Sequence, residues 1–382
     1  MRVSFWLSPL AVAGLLLTFS AQARPAPATP TRSPAATAVN DRTPLRWRGD
    51  YTTAYSLADG LAKAWARDHG GKLDVDSFNT ISGIDRAIDG KVDIAGSARP
   101  PFSGQPQESK LQFTPLAWDA LVIITQRGNP VHNITLQQLY QIYLGYMTNW
   151  SQLGGPARPI NLYSIASPLD GIEFDLRKFL YGRGDQEIAA PRLYLNTQQL
   201  QVAVGLDPQA LAVTAYSNVR DNPGLQMLAV EGVRPDATTI RDGTYPLLIP
   251  LYFAYNPDDA HAAEVQRFLR FAEGPRGQAV IRARGLIPWA DGATLAAGAE
   301  QRQQWVAARL AAELSAGKIA MNGPLAAPGA TYSQGASIAP TSQQTQAAKA
   351  RMQARDAQRQ QSSDTDRAAR DDGPAAASSS GP

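Results

Sequence analysis

The sequence predicts an α/β fold built as two lobes, each with a mainly parallel sheet flanked by helices. Short apolar runs alternate with amphipathic helical patterns from about residue 45 to 320, as expected of parallel strands with helices on the sheet faces. Two long β-type runs, LAWDALVIITQ and TYPLLIPLYFAYNP, bracket a middle α/β block. We interpret these runs as two crossover strands that join the lobes, with a ligand cleft between the lobes.

The first part of this body reads as strand, helix, strand, helix, strand. LRWRGDY is followed by the helical pattern SLADGLAKAWARDHGG, in which Leu57, Leu61 and Trp65 lie on one face. KLDVDSFN alternates strictly and predicts a strand, SGIDRAIDG predicts a short helix, and KVDIAGSARP predicts a strand that ends in a polar loop. This order favours parallel strands joined by helices.

The middle block repeats the same logic. In NITLQQLYQIYLGYMTNW, Thr135 and Gln138 have the spacing of a capping box at the start of a helix. PINLYSIA then predicts a strand, GIEFDLRKFLYG a helix, and PRLYLNTQQLQVAVGLDPQALAVTAYSNV another strand, helix and strand. After the second long β-type run, EVQRFLRFAEGPRGQAVIRARGLIPW predicts two helices separated at Gly-Pro.

The two ends of the chain differ in composition from this body. Residues 1–23 carry an apolar run and an A-x-A pattern, which predict a cleaved signal peptide. Residues 24–44 form a predicted Pro/Ala-rich linker, and residues 321–382 a predicted disordered low-complexity tail. Within the domain from 45 to 320, we expect lobe 1 at about 45–125 and 245–320 and lobe 2 at about 126–244.

Composition excludes several classes of function. The formal charge of +3 is small for 382 residues and the basic residues form no stripe, so nucleic acid is not expected as a partner. The chain has no Cys, and its three histidines, His69, His132 and His261, lie in different segments without ligand spacing. We therefore expect no metal, no cofactor and no catalytic residues, and no spanning segment after the signal peptide.

Four segments carry a resemblance to a known family. They are AIDGKVDIAGSARP, NPVHNITLQQLYQIYLGYMTNWSQLGG, DGTYPLLIPLYFAYNP and VQRFLRFAEGPRGQAVIRARGLIPW, between about residues 85 and 289. In this order they resemble the phosphate-binding periplasmic proteins that serve ABC-type phosphate importers, a branch of the type II periplasmic-binding-protein superfamily. The resemblance implies two lobes around an oxyanion cleft, with no chemistry on the ligand.

This resemblance also implies a function. We expect a monomeric periplasmic protein that captures a small oxyanion, phosphate or an analogue, for an ABC permease. The alternative is a binding fold that has lost transport and acts as a sensor or envelope interaction protein; the divergent ligand loops and the long tail favour this alternative. An enzyme is the weakest interpretation, because no combination of nucleophile, base and orienting group is visible.

The loops matched to the family's ligand loops are RGDYTTAYS, FNTISGIDRAI, GSARP and SIASPLDG. They supply the candidate ligand residues Thr52, Thr53, Ser82, Gly83, Ser97, Arg99, Ser167, Asp170 and Gly171. The family typically has an Arg shortly before the fourth loop, and this chain aligns Ile165 with it. Loss of that guanidinium predicts weaker phosphate binding. Arg99 could substitute, lie at the surface, or pair with an acid such as Asp93.

The fourth loop carries two acidic residues where an anion would bind. Asp170 and Glu173 have the spacing of a capping box, in which Asp170 accepts from the N–H of Glu173 and Glu173 reaches back to the N–H of Asp170. In the alternative, Asp170 faces the cleft and accepts a hydrogen bond from a ligand that carries protons, such as a hydroxyl, an amine or a monoprotonated oxyanion. Ser167 is not expected to act as a nucleophile, since no His accompanies it. Trp118 and Trp150 are expected in the core.

Overall fold

The computed structural model describes residues 44–316, apart from Gly70, Pro168 and Pro191. The predicted signal peptide and tail lie outside the described residues, as does all of the predicted linker except Pro44. Within the described part, short strands alternate with helices as the sequence predicts.

The strands and helices have the following bounds. The strands are β1 (Leu45–Asp50), β2 (Leu73–Phe78), β3 (Ile94–Ser97), β4 (Gln112–Gln126), β5 (Asn133–Ile134), β6 (Asn161–Ile165), β7 (Arg192–Tyr194), β8 (Ala210–Ala215), β9 (Leu225–Met227), β10 (Ala229–Val230), β11 (Leu248–Tyr255) and β12 (Ile287–Pro288). The α-helices are α1 (Tyr51–Thr53), α2 (Asp59–His69), α3 (Thr80–Ile88), α4 (Leu136–Tyr143), α5 (Gly171–Tyr181), α6 (Thr197–Leu206), α7 (Tyr216–Val219), α8 (Ala237–Arg241), α9 (Ala262–Glu273), α10 (Pro275–Ala283), α11 (Ala293–Ala297) and α12 (Ala299–Ser315).

One mixed sheet runs through the described part of the chain in the order β2-β1-β3-β11-β4-β8-β6-β7. Parallel pairs occupy both ends: β1 pairs with β2 and β3, and β6 pairs with β7 and β8. The central strands β11 and β4 are antiparallel to their neighbours. The predicted parallel arrangement is thus confirmed for each end of the sheet, while the two crossover strands make its centre antiparallel.

Strand β4 joins the two ends of the sheet. Its first part pairs with β11 up to Ala120, and its second part pairs with β8 from Leu121 onward. The chain returns beside it, where Leu121 N–H donates to the carbonyl of Leu247 at 2.8 Å. We call β2, β1, β3 and β11 the first half of the sheet, and β8, β6 and β7 the second half. The lobe boundaries near residues 125 and 245 stay a prediction.

Local signals in the sequence position these elements correctly. The capping box at Thr135 and Gln138 is confirmed, since both of its hydrogen bonds begin α4. Helices α9 and α10 are separated at Gly274, as the Gly-Pro break predicts. Trp118 and Trp150 are buried, as expected of core residues. The sequence patterns did not predict α12, the last described helix, which packs against α4 and α5.

The described helices also bear on membrane insertion. None of them is long and apolar enough to cross a bilayer.

Candidate functional site

Four connections come together where β1, β2, β3 and β6 end. The first three belong to the first half of the sheet, and the fourth leads into α5 in the second half. The approach is close: a Cβ added to Gly171 would lie 2.8 Å from the Cβ of Ala98. Glycine is therefore required where α5 begins against the loop after β3. The predicted loops are thus neighbours in space.

The carboxylate of Asp50 lies at the centre of this junction and is almost fully buried. Its Oδ1 accepts from the N–H of Thr53 at 2.8 Å. Its Oδ2 accepts from the hydroxyls of Thr53 and Thr80 and from the N–H of Ala98, at 3.1, 3.2 and 3.1 Å. These are the backbone and hydroxyl donors with which proteins bind oxyanions. An oxygen of the chain itself therefore accepts bonds that a bound oxyanion could receive.

Asp170 reaches from the second half of the sheet to the first. Its Oδ1 accepts from the N–H of Thr80, the first residue of α3, at 2.8 Å. In return, the Thr80 hydroxyl accepts from the N–H of Gly171, the first residue of α5, at 3.1 Å. Each helix therefore contributes to capping the N-terminus of the other, and the positive end of the α3 dipole faces a carboxylate. We call Asp50, Thr80 and Asp170 the carboxylate cluster.

The predicted capping box at Asp170 and Glu173 is wrong. Asp170 is the N-cap residue of α5, but its side chain makes no capping bond to that helix. Glu173 instead pairs with Arg177 at 3.3 Å and accepts from the N–H of Ile165 at 3.4 Å. The N–H of Thr80 lies within reach of Asp170, so a partner distant in sequence replaces the local one. The other interpretation, that Asp170 faces the junction, agrees with this geometry.

Burial controls the ionisation of the cluster. Burial and the nearby Asp50 carboxylate raise the pKa of Asp170 to about 7, against the effect of the Thr80 hydrogen bonds. Burial also raises the pKa of Asp50, although its hydrogen bonds to Thr53, Thr80 and Ala98 oppose this rise. Among the described residues, no cationic side chain forms an ion pair with either carboxylate. Near neutral pH the cluster therefore exchanges a proton at Asp170.

The guanidinium of Arg99 is paired within the fold, and its role in ligand binding stays a prediction. It forms a bidentate pair with Glu108, with Nη1–Oε2 and Nη2–Oε1 distances of 2.9 and 2.7 Å, and both side chains are buried. Its Nε donates to the carbonyl of Leu169 at 2.8 Å. The suggested pairing with Asp93 is wrong, because Asp93 pairs with Arg46. Ile165, aligned with the family's Arg, is buried.

Of the other candidate residues in the first half of the sheet, Ser97, Ser82 and Gly83 have structural contacts and, within the described part of the chain, Thr52 has an unpaired hydroxyl. Ser97 bonds within its own turn, donating to the carbonyl of Arg99 at 2.7 Å. Ser82 accepts from Nε of Arg48 at 3.0 Å, and Gly83 lets α3 pack directly on the backbone of β1. The Thr52 hydroxyl is buried without a hydrogen-bond partner among the described residues. Their role in ligand binding stays a prediction.

In the loop before α5, the carbonyl of Ser167 accepts from the N–H of Asp170 at 3.2 Å. Of the candidate ligand residues, Thr53, Asp170 and Gly171 therefore bond directly to the cluster or belong to it. The sequence interpretation missed Thr80, and it treated Asp50 only as a departure from the family pattern. A usable signal existed, since Thr80 directly follows the helix-capping Asn79 at the end of a strand.

A separate group of side chains has the composition of a metal site. Potential ligand atoms of Asp93, Asp259 and His261 lie within 4.8 Å of one another. Asp93, however, accepts from the backbone N–H and from Nε and Nη2 of Arg46, at 2.6, 3.2 and 2.8 Å, and from Nδ1 of His261 at 2.9 Å. A guanidinium bound to this carboxylate opposes a second cation there. We therefore interpret Asp93, Asp259 and His261 as a structural hydrogen-bonded group and not as a metal site.

The raised pKa of Asp170 predicts a pH-dependent stability. A carboxyl whose pKa is raised by folding stabilises the protein fully below its unfolded pKa, about 4, and loses this effect as pH rises through its folded pKa. Here that folded pKa is about 7. Between pH 4 and 8, wild type should therefore lose roughly 2 to 4 kcal/mol of unfolding free energy relative to Asp170→Asn.

Urea denaturation of both proteins across this pH range measures the difference. Asp89→Asn, which removes an exposed carboxylate at the end of α3, is the matched control and should follow wild type. Parallel pH profiles for wild type and Asp170→Asn would contradict the prediction.

Comparison with known proteins bears on the family and the fold of the chain. Residues 40–275 match the family model described as a PBP superfamily domain. The chain is 24% identical over 257 residues to Protein SphX of Synechococcus elongatus, a match covering 62% of this chain and 75% of that protein. It is 22% identical over 247 residues to the phosphate-binding protein PstS of Borreliella burgdorferi, covering 63% and 88%.

A solved structure gives the same result for the fold. An ABC-type phosphate transport receptor from Vibrio cholerae superposes with a TM-score of 0.52 at 25% identity, covering 64% of this chain and 99% of that one. The predicted fold class and the resemblance seen in the sequence are both confirmed.

Proposed function

Because this chain belongs to the PBP superfamily, we propose that it is an exported, periplasmic solute-binding protein that captures phosphate or a similar oxyanion for an ABC-type importer. The ligand would bind at the junction of the two halves of the sheet, without chemistry on the ligand. Relatives whose names describe phosphate binding and phosphate transport support this assignment.

The observation that carries the proposal is the set of donors around the carboxylate cluster. Backbone N–H groups of Thr53, Thr80 and Ala98, with the Thr53 and Thr80 hydroxyls, all donate to carboxylate oxygens at this one place. Carboxylate and phosphate present the same kind of acceptor oxygen to such donors. The N-terminus of α3 adds a dipole that favours an anion.

Capture would proceed by closure of the two halves of the sheet on the ligand. Contacts between the halves favour the closed state: Asp170 bonds to Thr80, and the Ser56 and Ser217 hydroxyls lie 2.7 Å apart. Phosphate would accept hydrogen bonds from the groups that now donate to Asp50 and Asp170. Because these carboxylates would have to be displaced, the net binding free energy would be smaller. We therefore expect weak binding compared with relatives whose junction holds a cation.

The same observation favours the alternative function. A junction closed by its own carboxylates needs no ligand to hold the two halves together. In that case the protein would be a sensor or an envelope interaction protein that has lost transport. The two functions differ in whether phosphate binds at all.

Calorimetric titration with phosphate, and with sulfate as a second oxyanion, distinguishes these functions. We expect phosphate to bind wild type with Kd weaker than about 1 μM, less than about 8 kcal/mol of binding free energy. If neither anion gives a heat of binding at about 10 mM, the binding free energy of each is weaker than about 3 kcal/mol. That result would favour the alternative function. Binding tighter than about 1 μM would show that the carboxylates do not compete with the ligand.

A further inference from the structure

A cavity of about 520 Å³ lies between helices α5 and α12 and strand β11. No residue of the carboxylate cluster lines it, so it is distinct from the junction described above. Pockets for small organic molecules typically have volumes of roughly 300 to 1,000 Å³. The cavity is therefore large enough for such a ligand.

Aromatic and aliphatic side chains form most of its wall. Trp118 and Trp289 stack with ring centroids 4.8 Å apart and planes 12° from parallel. Tyr252 of β11 and Val306 of α12 line the same space. Such a wall favours an apolar body, and aromatic faces also attract cations.

One carboxylate interrupts this wall. Asp175 of α5 lines the cavity and has only 5% of its surface exposed, and its side chain forms no hydrogen bond or ion pair with any described residue. Burial raises its pKa to about 7, although the charges of Lys178 and Arg99 oppose this rise. An isolated buried carboxylate is costly, and a ligand that brings a cationic donor would offset that cost.

The nearby basic side chains do not fill this role. Lys178 is exposed, and Arg99 is held by Glu108. Arg302 of α12 donates to the carbonyl of Leu295 and lies 6.0 Å over the ring of Trp118. None of the three forms an ion pair with Asp175. The strongest acceptor in the cavity is thus available to a ligand.

We propose that this cavity binds a small organic cation, an ammonium group carried on an apolar or aromatic body. Asp175 is its counter-ion, and Trp118, Trp289 and Tyr252 contact the body. A neutral molecule of the same shape would leave the carboxylate without a partner, so the site selects for charge as well as shape. This site does not depend on the proposed oxyanion function.

Three matched probes test the charge requirement by calorimetry at pH 8, above the pKa of Asp175. Phenethylammonium carries the cation, 2-phenylethanol is its neutral isostere, and 3-phenylpropionate is an anion of similar length. We expect phenethylammonium to bind at least about tenfold more tightly than either of the others. Binding of 3-phenylpropionate that equals or exceeds that of phenethylammonium would overturn the proposal. So would the absence of phenethylammonium binding at about 5 mM, which means a binding free energy weaker than about 3 kcal/mol.

Variants test the assignment to this cavity. Asp175→Asn keeps the shape of the side chain and should weaken phenethylammonium binding by at least about tenfold, while Asp185→Asn, at an exposed carboxylate outside the cavity, should leave it unchanged. Val306→Trp reduces the cavity from the α12 side, leaves the residue at position 175 unchanged, and should also weaken binding. Thermal unfolding confirms that each variant is folded. Unchanged affinity in Asp175→Asn or in Val306→Trp would overturn the proposal.

The pH profile gives an independent readout. Binding of phenethylammonium should strengthen as pH rises from about 6 to 8, because Asp175 ionises while the probe stays protonated. The charged and titratable groups near Asp175 are Lys178, Arg99, Arg302 and Tyr252. Burial raises the pKa of Tyr252 further above its ordinary value and lowers the pKa of Arg302. Binding of 2-phenylethanol should not strengthen with pH, and a flat profile for phenethylammonium would contradict Asp175 as its counter-ion.

Discussion

Replacing both Asp50 and Asp170 with serine is expected to raise the affinity for phosphate by about a hundredfold or more. In the proposed function, the oxygens of phosphate take the places of these carboxylate oxygens, and at ~4 Å two unit charges repel by about 1 kcal/mol in water and about 4 kcal/mol near a protein surface. Serine keeps one side-chain oxygen at each position while removing the charge. The two positions share Thr80, so their effects need not add.

Calorimetry on wild type, both single variants and the double variant measures this gain. Asp89→Ser serves as the control, because it removes an exposed carboxylate from the end of α3 and changes net charge equally. Its affinity for phosphate should stay within about twofold of wild type. The opposite sign would be decisive: if wild type binds phosphate tightly and both substitutions weaken it, the carboxylates contact the ligand as acceptors.

Arg99→Met should destabilise the folded protein by roughly 3 to 5 kcal/mol, since it leaves Glu108 buried without its cationic partner. The bidentate pair is nearly inaccessible to solvent, and Arg99 also bonds to the carbonyl of Leu169 across the junction. A loss of this size is a large fraction of the stability of an ordinary domain. Urea denaturation at pH 7 is the measurement.

The matched control is Arg183→Met, whose exposed partner Asp185 is solvated after the change. Exposed pairs contribute about 0 to 1 kcal/mol, so this variant should unfold near wild type. A double variant, Arg99→Met with Glu108→Met, should recover part of the loss, because no buried charge then remains. Equal destabilisation by Arg99→Met and Arg183→Met would show that the buried pair has no special role.

The sequence predicted the elements of the fold well because their signals are local. The stripe containing Leu61 and Trp65 marks the buried face of α2, and Thr135 with Gln138 begins α4. These patterns depend on side chains a few residues apart, which stay neighbours in any context. The two long β-type runs gave the crossover strands for the same reason. Helix α12 was not predicted by these patterns.

The candidate site was predicted only in part. The loops of Thr53, Asp170 and Gly171 do meet, as the family resemblance implied. The sequence did not decide the roles of the individual side chains, since the pattern around Arg99 was compatible with binding a ligand and with pairing to an acid. Arg99 pairs with Glu108 because the turn after Pro100 brings Oε1 of Glu108 within 2.7 Å of Nη2 of Arg99.

By itself, the sequence determined the alternation of strands and helices, the caps such as that of α4, and the absence of a cation at Ile165. Only the tertiary structure decided the partner of Asp170. A carboxylate at a helix start can cap its own helix or any other N–H group that comes within about 3 Å. Thr80 lies ninety residues away in sequence, yet its N–H is 2.8 Å from Asp170. Local pattern fixes which groups need partners, and long-range packing fixes which partners they find.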